Sequence, residues 1–268
     1  MAFAERFVER LTTPWSEGGR ALSLELIGYR PLGVGGMGGA RLPAVVIHHG
    51  STGDGSDPTL FKLSFDSQTL AREFSTRGFL VFFPQRRGRG GSDGLYDEGF
   101  RLDRSAYSCI SAQALPGLLR AGEDAEVIAQ GILARADVDP ERVLAVGVSR
   151  GGLLALAHAA QQPARYRGVV NFVGGWLGEG CADAVSLNRG AAQAAAAGPP
   201  SLWLYGENDP FYSVAHSRAN FEAFLAAGGR GEWQLLRRTE PGASGHQIHV
   251  EPALWGALLD TYLRRVLP

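Results

Sequence analysis

The chain has 268 residues, 45% hydrophobic and 20% charged, a globular balance that excludes wholesale disorder. Its 26 basic and 27 acidic residues leave a net charge of −1, so neither nucleic acid nor an anionic membrane is an expected electrostatic partner. Two cysteines, Cys109 and Cys181, exclude a disulfide scaffold and a four-cysteine zinc site; two buried free thiols are the plainer reading and one disulfide the other.

The N-terminus, MAFAERFVERL, reads as a short amphipathic helix, and Glu5, Arg6, Glu9 and Arg10 interrupt any signal-peptide core. A cytoplasmic protein is expected for the chain as given, a periplasmic or secreted one if a leader has been removed. Residues 21–30 alternate apolar and polar like a half-buried strand. The glycine-rich stretch Gly33–Gly39 reads as a loop between strands; no Gly-Lys-Ser/Thr follows it, which argues against phosphate binding. From residue 44 onward strands and helices alternate: strand 44–48, helix 67–77, strand 79–83, helix 123–136, strand 143–148, helix 152–162, strand 168–173, strand 201–205, helix 213–227, strand 232–237 and helix 251–266. The central strands are continuous apolar runs, as in a parallel sheet covered on both faces. The expected class is α/β, with a mostly parallel central sheet, helices on both faces and one domain over 1–268. Residues 94–122 and 174–199 interrupt the rhythm as long connections on the carboxyl side of the sheet, where they would line or cover a pocket. No apolar run reaches the ~18 residues of a membrane-spanning helix.

Gly147-Val148-Ser149-Arg150-Gly151 fits Gly-x-Ser-x-Gly, and so does Gly90-Gly91-Ser92-Asp93-Gly94. Context separates them. Ser149 ends the strand VLAVGV and opens the helix GGLLALAHAA, as a nucleophile on a sharp strand-to-helix turn must. Ser92 sits in an Arg/Gly-rich loop. A serine hydroxyl needs a base, and the base an orienting acid, following it in the order Ser, Asp/Glu, His. Asp209 is the acid expected from Gly206-x-x-Asp209, with Glu207 as the alternative and a plain Asn-Asp-Pro turn as the structural reading. His246, beside Gly245 in the loop before the last helix, is the expected base. His249 reads as packing or capping, His158 as structural, and His216 as a helix-surface or pocket-wall residue. Oxyanion donors are expected from the backbone N–H of Arg150 and of Ser51, with Thr52 second. Trp176, Phe211 and Tyr212 are candidate substrate-binding aromatics, equally suited to the core. Arg86, Arg87 and Arg150 could attract an acidic substrate, although arginines more often serve ion pairs.

These residues resemble the α/β-hydrolase superfamily, in its dienelactone hydrolase-like and prolyl oligopeptidase-like branch. The resemblance rests on Tyr29-Arg30-Pro31, His49-Gly50-Ser51, Arg87-Gly88-Arg89-Gly90-Gly91-Ser92, Gly147-x-Ser149-x-Gly151, Gly206-x-x-Asp209 and Gly245-His246, across roughly residues 20–268. It implies the α/β-hydrolase fold, a structural turn at the Arg-Gly segment, and a cofactor-free, metal-independent serine hydrolase acting on a small-molecule acyl substrate. A small or medium carboxylic ester is expected, with thioesters, lactones and short amides open. Dienelactone hydrolases proper use cysteine where this chain has Ser149, and large oligopeptidases carry a propeller domain that this chain lacks. The other readings are a non-catalytic binding module on the same fold and an acyltransferase using the same acyl-enzyme.

Overall fold

A computed structural model of the chain describes residues 3–33 and 41–268. The greater part of the glycine-rich stretch Gly33–Gly39 lies outside the described residues. The strands are β1 (Ala4–Glu17), β2 (Arg20–Pro31), β3 (Leu42–His48), β4 (Leu80–Pro84), β5 (Val138–Val148), β6 (Gly168–Phe172), β7 (Ser201–Gly206) and β8 (Gly231–Leu236). They form one eight-stranded sheet in the order β1-β2-β4-β3-β5-β6-β7-β8. The first two strand pairings are antiparallel and the remaining five neighbours are parallel. β3, β4, β6 and β7 are buried along their whole length, as expected for a sheet with both faces covered.

The helices are α1 (Gln68–Ser75), α2 (Ser111–Leu133), α3 (Arg150–Gln161), α4 (Ala184–Ala194), α5 (Val214–Ala226) and α6 (Gly256–Val266). α2, α3, α4 and α5 pack side by side in one layer. α1 and α6 belong to the other, linked by the 2.6 Å Arg77–Asp260 ion pair. This is the α/β-hydrolase architecture.

Three expectations are corrected. The N-terminus is not a helix: it is strand β1, antiparallel to β2 from Ala4↔Pro31 to Glu17↔Arg20. Phe7, Leu11 and Trp15 recur every four residues, a spacing that puts them on one side of either a helix or a strand. The β-branched Thr12-Thr13 pair and the available edge of β2 decide for the strand. Gly28 on β2 leaves the room that the Phe7 ring fills, since a Cβ there would lie 2.1 Å from it. The second correction concerns 94–122, whose last twelve residues are helical: α2 begins at Ser111, well before residue 123. Pro116 hides this in the sequence, because a proline past the first turn removes a helix hydrogen bond and crowds the carbonyl four residues back, and so reads as a helix breaker. Likewise α4 occupies part of 174–199, which is not one long loop. The third correction is that Cys109 and Cys181 are not free thiols but a disulfide.

Candidate active site

Four chain segments reach the same end of the sheet, at the carboxyl ends of β3, β5, β7 and β8. That end is where ligands bind in open parallel sheets. β5 delivers Ser149 between strand and helix with φ +56° and ψ −123°, a conformation that a non-glycine residue holds only when its surroundings enforce it. The flanking glycines explain how. A Cβ on Gly147 would lie 1.9 Å from the Gly151 carbonyl oxygen, and one on Gly151 would lie 2.1 Å from that of His48. Only a Gly-x-Ser-x-Gly stretch lets strand, turn and helix approach this closely. Ser149 N–H donates to Phe172 O at 2.9 Å, and Ser149 O accepts from Gly152 N–H at 2.9 Å, fixing the turn on both sides.

β7 and β8 bring the acid and base together. Gly206 and Gly245 meet backbone to backbone, since a Cβ on Gly206 would lie 2.2 Å from Gly245 O and one on Gly245 would lie 1.9 Å from Glu207 O. Across this contact His246 Nδ1 and Asp209 Oδ2 are 2.8 Å apart. The Asp209 side chain is 1% exposed. Its Oδ1 accepts from the N–H groups of Phe211 at 2.8 Å and Tyr212 at 3.2 Å, so the same carboxylate caps the turn and faces the imidazole. Glu207 points elsewhere, to Arg237 at 3.1 Å. Ser149 and His246 line one cavity of ≈ 270 Å³ together with Ser51, Arg150, Trp176, Phe211 and Tyr212. The Ser149 hydroxyl makes no hydrogen bond to His246 in this geometry; such bonds are often long without substrate and tighten in the complex.

The two oxyanion candidates after β3 separate on geometry. Thr52 N–H is engaged by the Tyr107 hydroxyl at 3.2 Å, and Thr52 Oγ1 lies 2.8 Å from the same oxygen. Ser51 lines the cavity beside Ser149. Arg150 is the first residue of α3, where backbone N–H groups have no intrahelical partner.

The aromatics divide. Trp176 is buried, donates its Nε1–H to Ala114 O at 3.0 Å, and carries the Arg150 guanidinium 4.9 Å above its ring. Phe211 is 49% exposed with its ring 4.7 Å from that of His246. Tyr212 is buried against His246 at 5.9 Å, and burial raises its phenol well above the ordinary range. All three line the cavity.

The histidines and serine outside this group have other work. His249 is buried, and burial beside His246 pushes its imidazole down to about 4. His158 lies between Glu126 and Tyr166, at 3.2 Å from each. His216 is buried rather than on a surface, 3.2 Å from Asn188 Nδ2. Ser92 donates to Gln85 O at 2.6 Å and accepts from Glu25 N–H at 2.8 Å, which ties the Arg/Gly turn to β2.

The arginines hold a residue that the sequence did not single out. Arg86 pairs with Glu98 at 2.5 Å, Arg87 with Asp124 at 2.5 Å, and Arg150 donates to Glu98 O at 2.8 Å and Trp176 O at 3.0 Å. Arg89 is also buried, but its Nε and Nη1 have no partner among the described residues. It lines a second cavity of ≈ 350 Å³ that shares Ser51, Ser149, Phe211 and His246 with the first and adds His49, Gln247 and His249. Burial, together with the nearby Arg86, lowers the Arg89 pKa. Its neighbours in Arg86-Arg87-Gly88-Arg89 masked it in the sequence, because composition cannot tell a paired arginine from an unpaired one. A larger cleft of ≈ 930 Å³ between α2, α3 and α4 contains none of the triad candidates. Among the described residues no group of three or more His, Cys, Asp or Glu side chains is placed to hold a metal ion. No helix among them is long and apolar enough to cross a membrane.

A model of the dienelactone hydrolase family matches residues 34–230. A curated relative, "Putative esterase NocK" of Nocardia uniformis subsp. tsuyamanensis, is 34% identical over 106 residues, which is 37% of this chain and only 28% of that protein. Among solved structures, a dienelactone hydrolase-like promiscuous phosphotriesterase, P91, from metagenomic libraries is 17% identical, with a TM-score of 0.60 over 97% of this chain and 98% of that one. The acylaminoacyl peptidase of Pyrococcus horikoshii is 16% identical with a TM-score of 0.64, covering 100% of this chain and 42% of that one. At these identities the two structures share the fold with this chain.

Proposed function

The chain belongs to the dienelactone hydrolase family, a hydrolase family of the α/β-hydrolase fold, and we propose that it is a serine hydrolase cleaving small or medium carboxylic esters through an acyl-enzyme. The observation that carries this reading is the 2.8 Å His246–Asp209 contact facing the same cavity as a Ser149 held at φ +56°. His246 Nε2 takes the Ser149 proton as the hydroxyl attacks the acyl carbonyl, then returns it to the leaving alcohol. Asp209 holds Nδ1–H, which leaves Nε2 free as the base, and stabilises the imidazolium that forms. The N–H groups of Arg150 and Ser51 receive the oxyanion. Water activated by His246 then releases the acid. Trp176, Phe211 and Tyr212 bound the substrate, and the three triad residues and both pocket walls hang from one sheet, so residues 1–268 act as one domain.

Arg89 refines the substrate. A buried guanidinium with unpaired donors, opening beside the nucleophile, is best satisfied by an anionic group on the substrate, most simply a carboxylate. The Cys109–Cys181 bond favours an oxidising compartment.

The test is hydrolysis of short p-nitrophenyl esters by the wild type, Ser149→Ala and His246→Ala. Turnover by the wild type and its loss in both folded variants supports the reading. A folded wild type that turns over no ester points to a binding module instead. Conversion of product from free acid to ester on adding an alcohol acceptor identifies an acyltransferase.

A further inference from the structure

Both sulfurs of the Cys109–Cys181 disulfide belong to residues lining the Ser149 cavity, and they join its two walls across 72 residues of sequence. One wall is the stretch before α2, with Ala106, Tyr107 and Ser108 facing the cavity; the other is Trp176, Leu177 and Gly178. We propose that this disulfide is a redox-sensitive clamp on the substrate pocket, whose reduction loosens substrate binding without unfolding the protein. The proposal rests on the Ser149 reading above.

The surroundings make the bond a local tie. The segment between Gly178 and Asp183 has no regular helix or strand, and Gly178 and Gly180 both border open space. Within this segment Cys181 packs against the apolar cluster that contains Trp176, Leu177 and Leu187. The segment touches the site at a second point: Glu179 N–H donates to Phe211 O at 2.8 Å, and the Glu179 carboxylate accepts from Ser213 N–H at 2.6 Å. Slack in this segment therefore reaches the aromatic wall at Phe211 as well as the wall at Leu177. Other cross-links survive reduction. Ser111 N–H donates to Asp183 at 2.6 Å, and Trp176 Nε1–H donates to Ala114 O. The Asp209–His246 pair is also held from elsewhere, by the loops after β7 and β8 that meet backbone to backbone at Gly206 and Gly245. The expected effect is therefore on binding more than on chemistry. Cys109 is exposed and Cys181 half-buried, so a thiolate can reach the bond.

With a small dithiol as reductant, one thiolate attacks a protein sulfur, the S–S bond breaks and a mixed disulfide forms. The second thiolate displaces it and closes a cyclic disulfide. Two electrons pass from the dithiol to the protein, and the two protons of the dithiol end on Cys109 and Cys181.

The experiment measures ester hydrolysis before and after dithiothreitol, with alkylation and intact mass to count thiols, circular dichroism to check the fold, and fluorophosphonate labelling of Ser149 in both states. The expected result is two alkylated cysteines, an unchanged spectrum, and KM raised about threefold or more with a smaller change in kcat, reversed on reoxidation. A Cys109→Ser/Cys181→Ser variant should start with the raised KM and ignore the dithiol. An unchanged KM with two thiols counted overturns the proposal, and so does a bond that resists the dithiol while the protein stays folded. Should Ser149 take no label and no ester turn over in either state, the acyl-enzyme reading itself fails. Labelling in both states with an unchanged KM removes the clamp alone.

Discussion

Asp209→Asn leaves the volume of the site unchanged and inverts one hydrogen bond. In the wild type Oδ2 faces His246 Nδ1 at 2.8 Å, while Oδ1 accepts from Phe211 and Tyr212 N–H. The asparagine oxygen is held by those two backbone donors, so its NH2 must face Nδ1. The imidazole then accepts at Nδ1 and carries its proton on Nε2, the tautomer that cannot take a proton from Ser149. The equivalent tautomer error in serine proteases costs about 10⁴ in kcat, which is about 5.4 kcal/mol at 1.36 kcal/mol per tenfold. KM should change little, because Asp209 does not line the cavity. Stability should also hold, since both backbone N–H groups keep an acceptor. Asp209→Ala orphans them as well and should lower stability by about 1–3 kcal/mol on top of the catalytic loss. The assay is steady-state hydrolysis of a p-nitrophenyl ester, with a thermal melt for each variant. A folded Asp209→Asn protein with less than about a tenfold loss in kcat would refute the assignment of Asp209. Glu207→Gln is the matched control and should be nearly silent.

Other perturbations separate the parts of the site. Ser51→Pro removes one oxyanion donor and should lower kcat about 10²–10³-fold, whereas Ser51→Ala keeps the N–H and should cost little, read by the same assay. Arg89→Met should raise KM for a carboxylate-bearing ester while leaving a neutral ester of the same size nearly unchanged; equal effects on both would remove the anionic subsite. Folding stability should fall in acid. His249 is held near 4 by burial and returns to about 6.5 when unfolded, so between these values the unfolded chain binds more protons than the folded one. That stability is complete above pH ~6.5 and is lost as pH falls toward 4, by about 3 kcal/mol for this residue. His48, His49 and His158 are lowered in the same direction by burial. Urea melts at two pH values on wild type and His249→Gln check this: the variant should lose less between them.

How much of this was legible in the sequence depended on the range of the signal. The parallel strands announced themselves because burial on both faces forces unbroken apolar runs such as AVVIH and FLVFF. Ser149, Ser51 and Asp209 were legible as candidates because each lies within three residues of the end of β5, β3 or β7, where a short loop has few directions to point, whereas His246 comes ten residues after β8 and stood out through its neighbour Gly245. β1 was not legible, since a spacing of four fits helix and strand alike and the Thr12-Thr13 pair tips the balance only once the edge of β2 is there to pair with. Pro116 concealed the first turns of α2. The disulfide was beyond reach because 72 intervening residues say nothing about distance. Arg89 looked like its neighbours, and only the finished fold shows which arginine lacks a carboxylate.

The most direct test of the account is where a fluorophosphonate attaches. On folded wild-type protein the adduct should form once per chain and map by peptide sequencing to Ser149, and Ser149→Ala should take none. An adduct on Ser92 or another serine, or a folded chain that takes no label, would contradict the assignment of Ser149 as the nucleophile.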